Sequence, residues 1–115
     1  MRYMLLLYAD EKIWASFSPE EIAEGMAAYY AYTEELRKAG KMVSGDELAP
    51  SATAKTLSIT GGKRRVVDGP YADIKEQLGG YYLIEADSEA EALEWAAKCP
   101  GASHGSVEVR PIMVR

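Results

Sequence analysis

His104 is the only histidine of the chain, and an imidazole is the side chain best suited to moving protons near neutral pH. It lies in Gly101-Ala102-Ser103-His104-Gly105, where the plainer reading is a solvated loop residue. Asp68 opens Asp68-Gly69-Pro70-Tyr71, where a carboxylate either caps the amides of a turn or stands at the mouth of a cleft. His104 and Asp68 are the candidate catalytic acid–base residues. Lys75 and Glu76 come shortly before Gly79-Gly80, glycines that let a ligand or a backbone approach closely. They are candidate ligand contacts; the alternative is an exposed ion pair worth well under ~1 kcal/mol. Arg110 offers a bidentate fork for a ligand carboxylate, or else it pairs with Glu108 or Asp68 within the fold. Tyr8 and Tyr29 complete the candidate ligand set. With Trp14 and Phe17 they could wall a cleft for a flat aromatic or small acidic molecule, although Met26, Tyr29 and Tyr30 at helical spacing also read as core. Cys99 ends a helix pattern, the wrong end of the helix dipole for an activated thiolate. Gly61-Gly62-Lys63 lacks the spacing of a phosphate-binding loop. One histidine gives no metal expectation, and nothing visible requires a cofactor.

These residues need elements to position them. Arg2 to Tyr8 is apolar without alternation and reads as a strand covered on both faces. Ser18-Pro19-Glu20-Glu21 combines a cap, a proline suited to the first turn and a capping box. Ile22, Met26, Tyr29, Tyr30, Thr33 and Leu36 continue that helix as one apolar face, and Gly40 ends it. Met42 to Leu48 is a weaker strand. Lys55 to Thr60 and Lys63 to Val67 flank Gly61-Gly62, the pattern of a two-residue hairpin. Leu78 to Ala86 reads as a strand apolar on both faces, with a bulge or close approach at Gly79-Gly80. Ser88-Glu89-Ala90-Glu91 opens a second helix to Lys98 with Ala90, Leu93, Ala96 and Ala97 inward, stopped by Cys99-Pro100-Gly101. Gly105 to Val114 is the last strand, with Val107, Val109 and Met113 on one side. The order predicts an α+β, ferredoxin-like βαββαβ domain over residues 1–115, with an inserted β-hairpin and an antiparallel sheet carrying two helices on one face.

Two helices can blanket only one face of that sheet, yet two of its strands carry apolar residues on both. A second copy, packed through the sheet face about a two-fold axis, is the expected cover. The alternative is that the hairpin folds back over the same face.

The 115 residues are one domain by length, 48% hydrophobic and 27% charged, too apolar for disorder. A single cysteine excludes a disulfide framework, and a net charge of −5 argues against a nucleic-acid surface. The opening apolar run is too short for a secretion signal and no run reaches the ~20 residues of a membrane span, so the expected location is the cytoplasm.

Asp68-Gly69-Pro70-Tyr71, Lys75-Glu76-Gln77-Leu78-Gly79-Gly80-Tyr81-Tyr82 and Glu108-Val109-Arg110-Pro111-Ile112 together resemble the DGPF-domain branch of the YCII-related proteins, over essentially the whole chain. The resemblance implies a dimeric α/β-barrel fold, a bacterial cytosolic homodimer, and in some relatives lyase- or isomerase-like chemistry on small ring compounds without a cofactor. The histidine and aspartate that the YCII branch resembles in using fall at Tyr29 and Cys99, so that proton-transfer pair is not carried over. The other role implied is a non-catalytic module that senses a ligand or binds a protein partner, for instance one linked to an alternative sigma factor.

Overall fold

A computed structural model describes residues 1–115. The chain runs through β1 (Arg2–Ala9), α1 (Glu11–Ala15), α2 (Pro19–Lys38), β2 (Met42–Glu47), a 3-10 turn (Ser51–Thr53), β3 (Lys55–Thr60), β4 (Lys63–Asp68), β5 (Gln77–Glu85), α3 (Glu89–Lys98), α4 (Gly101–His104) and β6 (Ser106–Pro111). Four strands form one antiparallel sheet in the order β2-β5-β1-β6, and β3 pairs only with β4. Without the β3–β4 ribbon this is the expected βαββαβ arrangement. Two short helices, α1 and α4, add to the two long ones foreseen from the capping boxes.

The long helix starts as its sequence dictates. Ser18 accepts the Glu21 amide at 3.1 Å while the Glu21 carboxylate takes the Ser18 amide at 3.0 Å. Its inner stripe is Met26, Tyr29, Tyr32, Thr33 and Leu36; Tyr32 and Leu36 are fully buried, whereas Tyr30 is 66% exposed. The expectation that Tyr30 belongs to the core fails because it lies on the far side of Tyr29 and Thr33 around the helix. The α3 stripe is shifted likewise. Ala92 and Ala96 are buried with Trp95 packed against them, and Leu93 points to solvent. Ser88 caps the Glu91 amide, but Glu91 turns away from the box to accept from Asp87 N and Trp95 Nε1 and to pair with Lys41.

The core lies between one sheet face and these helices. Tyr3 and Leu5 of β1, and Tyr82 and Ile84 of β5, meet Tyr32, Leu36, Ala92, Ala96 and Cys99. The Tyr32 hydroxyl donates to Trp95 O at 2.7 Å, and Thr33 and Tyr82 share a hydroxyl hydrogen bond at 2.9 Å, so the polar ends in this layer are satisfied.

The opposite face carries Met4, Leu6, Leu83 and Tyr81, aligned by the register Met4↔Leu83 and Leu6↔Tyr81. All four are only half-buried in the single chain. The hairpin does not cover them. Every β4 residue and all but Thr56 of β3 is exposed. Its tip turns as expected, with Gly61 and Gly62 at φ 58° and 78°. The radius of gyration is 16.0 Å, against about 13 Å for a compact domain of this length, because that ribbon projects. The last strand stops at Pro111 rather than Val114; Met113 and Val114 are exposed.

Candidate functional site

One end of the sheet carries a cleft. β1 ends at Ala9, and Asp10 immediately caps α1 by accepting the Lys12 amide at 2.9 Å. Glu11 then reaches across to the 3-10 turn, taking the Ser51 amide at 2.7 Å and its hydroxyl at 2.8 Å. The Glu11 amide donates to Gln77 Oε1 at 3.0 Å, while Gln77 Nε2 donates to Ile74 O at 2.9 Å. Gln77 thus clamps α1 to the segment 72–76, which is too short for a helix and forms none. Just beyond it β5 is bulged: Leu7 faces Gly80 and Tyr8 faces Leu78, leaving Gly79 extra. On the third side α3 hands over to α4, whose last residue is His104.

These pieces border an open hollow of about 400 Å³ lined by Asp10, Ile13, Ile74, Lys75, Glu76 and His104. A contiguous hollow of about 360 Å³ shares Asp10, Ile74 and Lys75 and adds Lys12, Asp73 and Gln77. Phe17 stands edge-on to the His104 ring at 6.2 Å and against Trp14 at 5.4 Å, giving the imidazole an aromatic backing. Lys75, Glu76 and His104 take part in none of the chain's ion pairs, so an ammonium, a carboxylate and an imidazole all remain available in the cleft. Asp10 brings a second carboxylate, engaged only as a cap. This set can donate to an anionic or carbonyl oxygen, accept from hydroxyls and exchange a proton, while Ile13 and Ile74 offer apolar surface.

Of the residues picked from sequence, the structure brings together Lys75, Glu76 and His104. It places His104 at the end of a short helix, not in a loop. It places Asp68 elsewhere, at the root of the projecting hairpin, where its carboxylate accepts from Lys55 Nζ at 2.5 Å; the His104–Asp68 pairing is not made, and Asp10 and Glu76 are the carboxylates that line the hollow with the imidazole. Arg110 pairs with Glu108 two residues away on β6 and lies outside the residues lining the hollow. Tyr8 shares the bare sheet face with Met4 and Leu6 by strand alternation. Tyr29 packs against the core; burial, reinforced by Cys99, Tyr82 and Glu47, pushes its hydroxyl up to about 12, out of reach of proton exchange at neutral pH. Burial likewise pushes the Cys99 thiol up to about 11, consistent with an inert core thiol. Asp10, Ile13 and Ile74 were not foreseen. An aspartate directly after a strand, capping a following turn of helix, is the signal that could have found Asp10.

The YCII-related domain model matches residues 1–114 of the chain. The chain belongs to the YCII-related family. An uncharacterised protein of Rhizobium meliloti (strain 1021) is 40% identical over 114 residues, covering 97% of this YCII-related chain and 92% of the relative. Among solved structures, 5-chloro-2-hydroxyhydroquinone dehydrochlorinase from Burkholderia phenoliruptrix AC1100, in complex with 2,5-dihydroxybenzoquinone, superposes with a TM-score of 0.54. That similarity covers 100% of this chain and 96% of the dehydrochlorinase at 18% identity, a likeness of fold. No helix of the YCII-related chain is long and apolar enough to cross a membrane.

Proposed function

We propose that this YCII-related protein binds a small hydroxylated ring compound in the Asp10–Lys75–Glu76–His104 cleft and transfers protons on it, as a cytoplasmic homodimer joined through the bare sheet face. The observation that carries the reading is the convergence of an uncommitted ammonium, two carboxylates and the only imidazole on one cleft between two isoleucines. Lys75 would orient an anionic or carbonyl oxygen, Asp10 and Glu76 would accept from ring hydroxyls, and the ring would lie against Ile13 and Ile74. His104 would take a proton from a ring carbon or hydroxyl and return it, either to another ring atom in an isomerisation or to the departing group in an elimination. The dehydrochlorinase of the same fold, solved with a dihydroxybenzoquinone, supports this ligand size and class. The half-buried Met4, Leu6, Tyr81 and Leu83 support the dimer, since an apolar sheet face of this kind is ordinarily covered.

The test is a titration with 2,5-dihydroxybenzoquinone, followed by thermal unfolding and by ring absorbance for turnover. A ligand at 100 times its Kd adds ~2.7 kcal/mol, about 10 °C for a domain this size. Lys75→Ala should abolish the shift, and His104→Ala should keep binding while losing turnover. Stabilisation that is equal in His104→Ala, with no turnover in either protein, would assign a ligand-sensing role. No stabilisation by this or related hydroxylated rings at millimolar concentration would refute the proposal.

A further inference from the structure

Besides the bare sheet face, the β3–β4 ribbon is left without a cover. Its register, Leu57↔Val66 and Ile59↔Arg64, puts Leu57, Ile59 and Val66 on one side, and they are 50%, 66% and 52% exposed. A two-stranded ribbon is marginal by itself in water. This one is nonetheless cross-linked at its base. Gly69 N donates to Ala54 O at 2.8 Å, Thr56 Oγ1 donates to Gly69 O at 2.8 Å, and Lys55 meets Asp68 across the two strands. Six residues per strand carry it about 20 Å beyond that root, far enough to reach a neighbouring molecule.

Charge says what that neighbour is. From Lys55 to Asp68 the ribbon holds Lys55, Lys63, Arg64 and Arg65 against Asp68 alone, a net +3; with −5 for the whole chain, the remaining residues hold −8. A cationic arm on an anionic body is complementary to a second copy of itself. A nucleic acid would be drawn to the arm and repelled by the body. We infer that the β3–β4 ribbon is an exchanged arm whose Leu57–Ile59–Val66 side seats on a second copy of this chain, with Arg64 of that side facing the copy's acidic surface and Lys63 and Arg65 on the other side of the ribbon. Under a two-fold axis both arms make the same contact, continuing the interface begun by the sheet face. The inference rests on the dimer reading above and adds an element to it.

The experiment compares the full chain with Ile59→Asp, with the charge reversal Arg64→Glu, and with a variant in which residues 55–68 are replaced by a short Gly-Ser turn. Sedimentation across a concentration series gives the dimer Kd, and hydrogen exchange reports the amides of 55–68. The arm predicts a Kd about 100-fold weaker in Ile59→Asp, weakening in the charge reversal that grows as salt is lowered, and ribbon amides protected only at dimer-forming concentrations. Ile59 faces solvent in the single chain, so circular dichroism of that variant should be unchanged. A dimer equally tight in all variants, with ribbon amides exchanging at one rate at every concentration, overturns the arm and leaves the sheet-face dimer standing. A wild type that stays monomeric overturns both. Ribbon protection that appears only with added nucleic acid or another protein also overturns it.

Discussion

Gly105 joins the candidate cleft to the sheet, and replacing it with alanine tests whether that joint is as tight as the geometry says. A Cβ there would lie 2.0 Å from Tyr8 O, 3.0 Å from Tyr8 C and 3.1 Å from Ala9 Cα. Ordinary contact begins near 3.4 Å, so the two backbones must part by about 1.4 Å. Neither can rotate aside, because Tyr8 is held by its rung to Ser106 and Gly105 N is bonded to Gly101 O at 2.9 Å. Forcing atoms into a packed site costs about 1–3 kcal/mol, and fraying the first rung of β1–β6 adds about 1 kcal/mol more. The sum, about 2–4 kcal/mol, lowers Tm by roughly 8–16 °C at ~4 °C per kcal/mol. Gly101→Ala is the control. Its Cβ would meet the ends of side chains, Tyr29 Oη at 2.8 Å and Leu7 Cδ2 at 3.1 Å, which can give way, so the loss should be about 1 kcal/mol. Calorimetry on both variants gives the comparison. Because His104 precedes Gly105, ligand binding in Gly105→Ala should weaken well below its lowered Tm. A Gly105→Ala protein that melts within 2 °C of wild type, or above Gly101→Ala, refutes the reasoning.

Three further outcomes follow from the same contacts. Gln77→Ala removes both hydrogen bonds that clamp α1 to Ile74 and should cost about 1–2 kcal/mol, with ligand affinity falling more than in Glu76→Ala; urea unfolding and calorimetric titration read the two effects. Cys99 and Tyr29 are raised from ordinary values of 9.0 and 10.0 to about 11 and 12, so the unfolded chain sheds these protons first. The stability they hold is complete below pH 9 and drains away as pH climbs from there toward 12; urea midpoints that stay flat over that range contradict the burial of these groups. Tyr32→Phe leaves Trp95 O without its 2.7 Å donor and should cost about 1 kcal/mol in the same assay.

What the sequence disclosed follows how local the signal was. The Ser18 capping box, the Gly61-Gly62 turn and the bulge at Gly79 are written in a few adjacent residues, and each stands where its residues demand. The phase of a helical stripe is less local. Tyr30 and Leu93 are as apolar as their neighbours, and only the direction in which α2 and α3 meet the sheet decides that Tyr32, Ala92 and Trp95 go inward. The cleft is the least local feature. Lys75, Glu76 and His104 stand out by chemistry and chain position, but Asp10 joins them only because β1 and β6 are neighbours and Gln77 reaches Glu11, contacts between residues tens of positions apart. Asp68 was an equally sensible carboxylate by type; the ribbon it roots carries it to Lys55.

His104 gives the most direct measure of the central claim, since a chain with one histidine shows one set of imidazole resonances. Titrating the hydroxylated quinone into labelled protein should move those resonances saturably, with the Lys75→Ala protein showing no movement at matched concentrations. Imidazole resonances that stay in place while the ligand binds elsewhere, or that respond identically in wild type and Lys75→Ala, would contradict the assignment of this cleft.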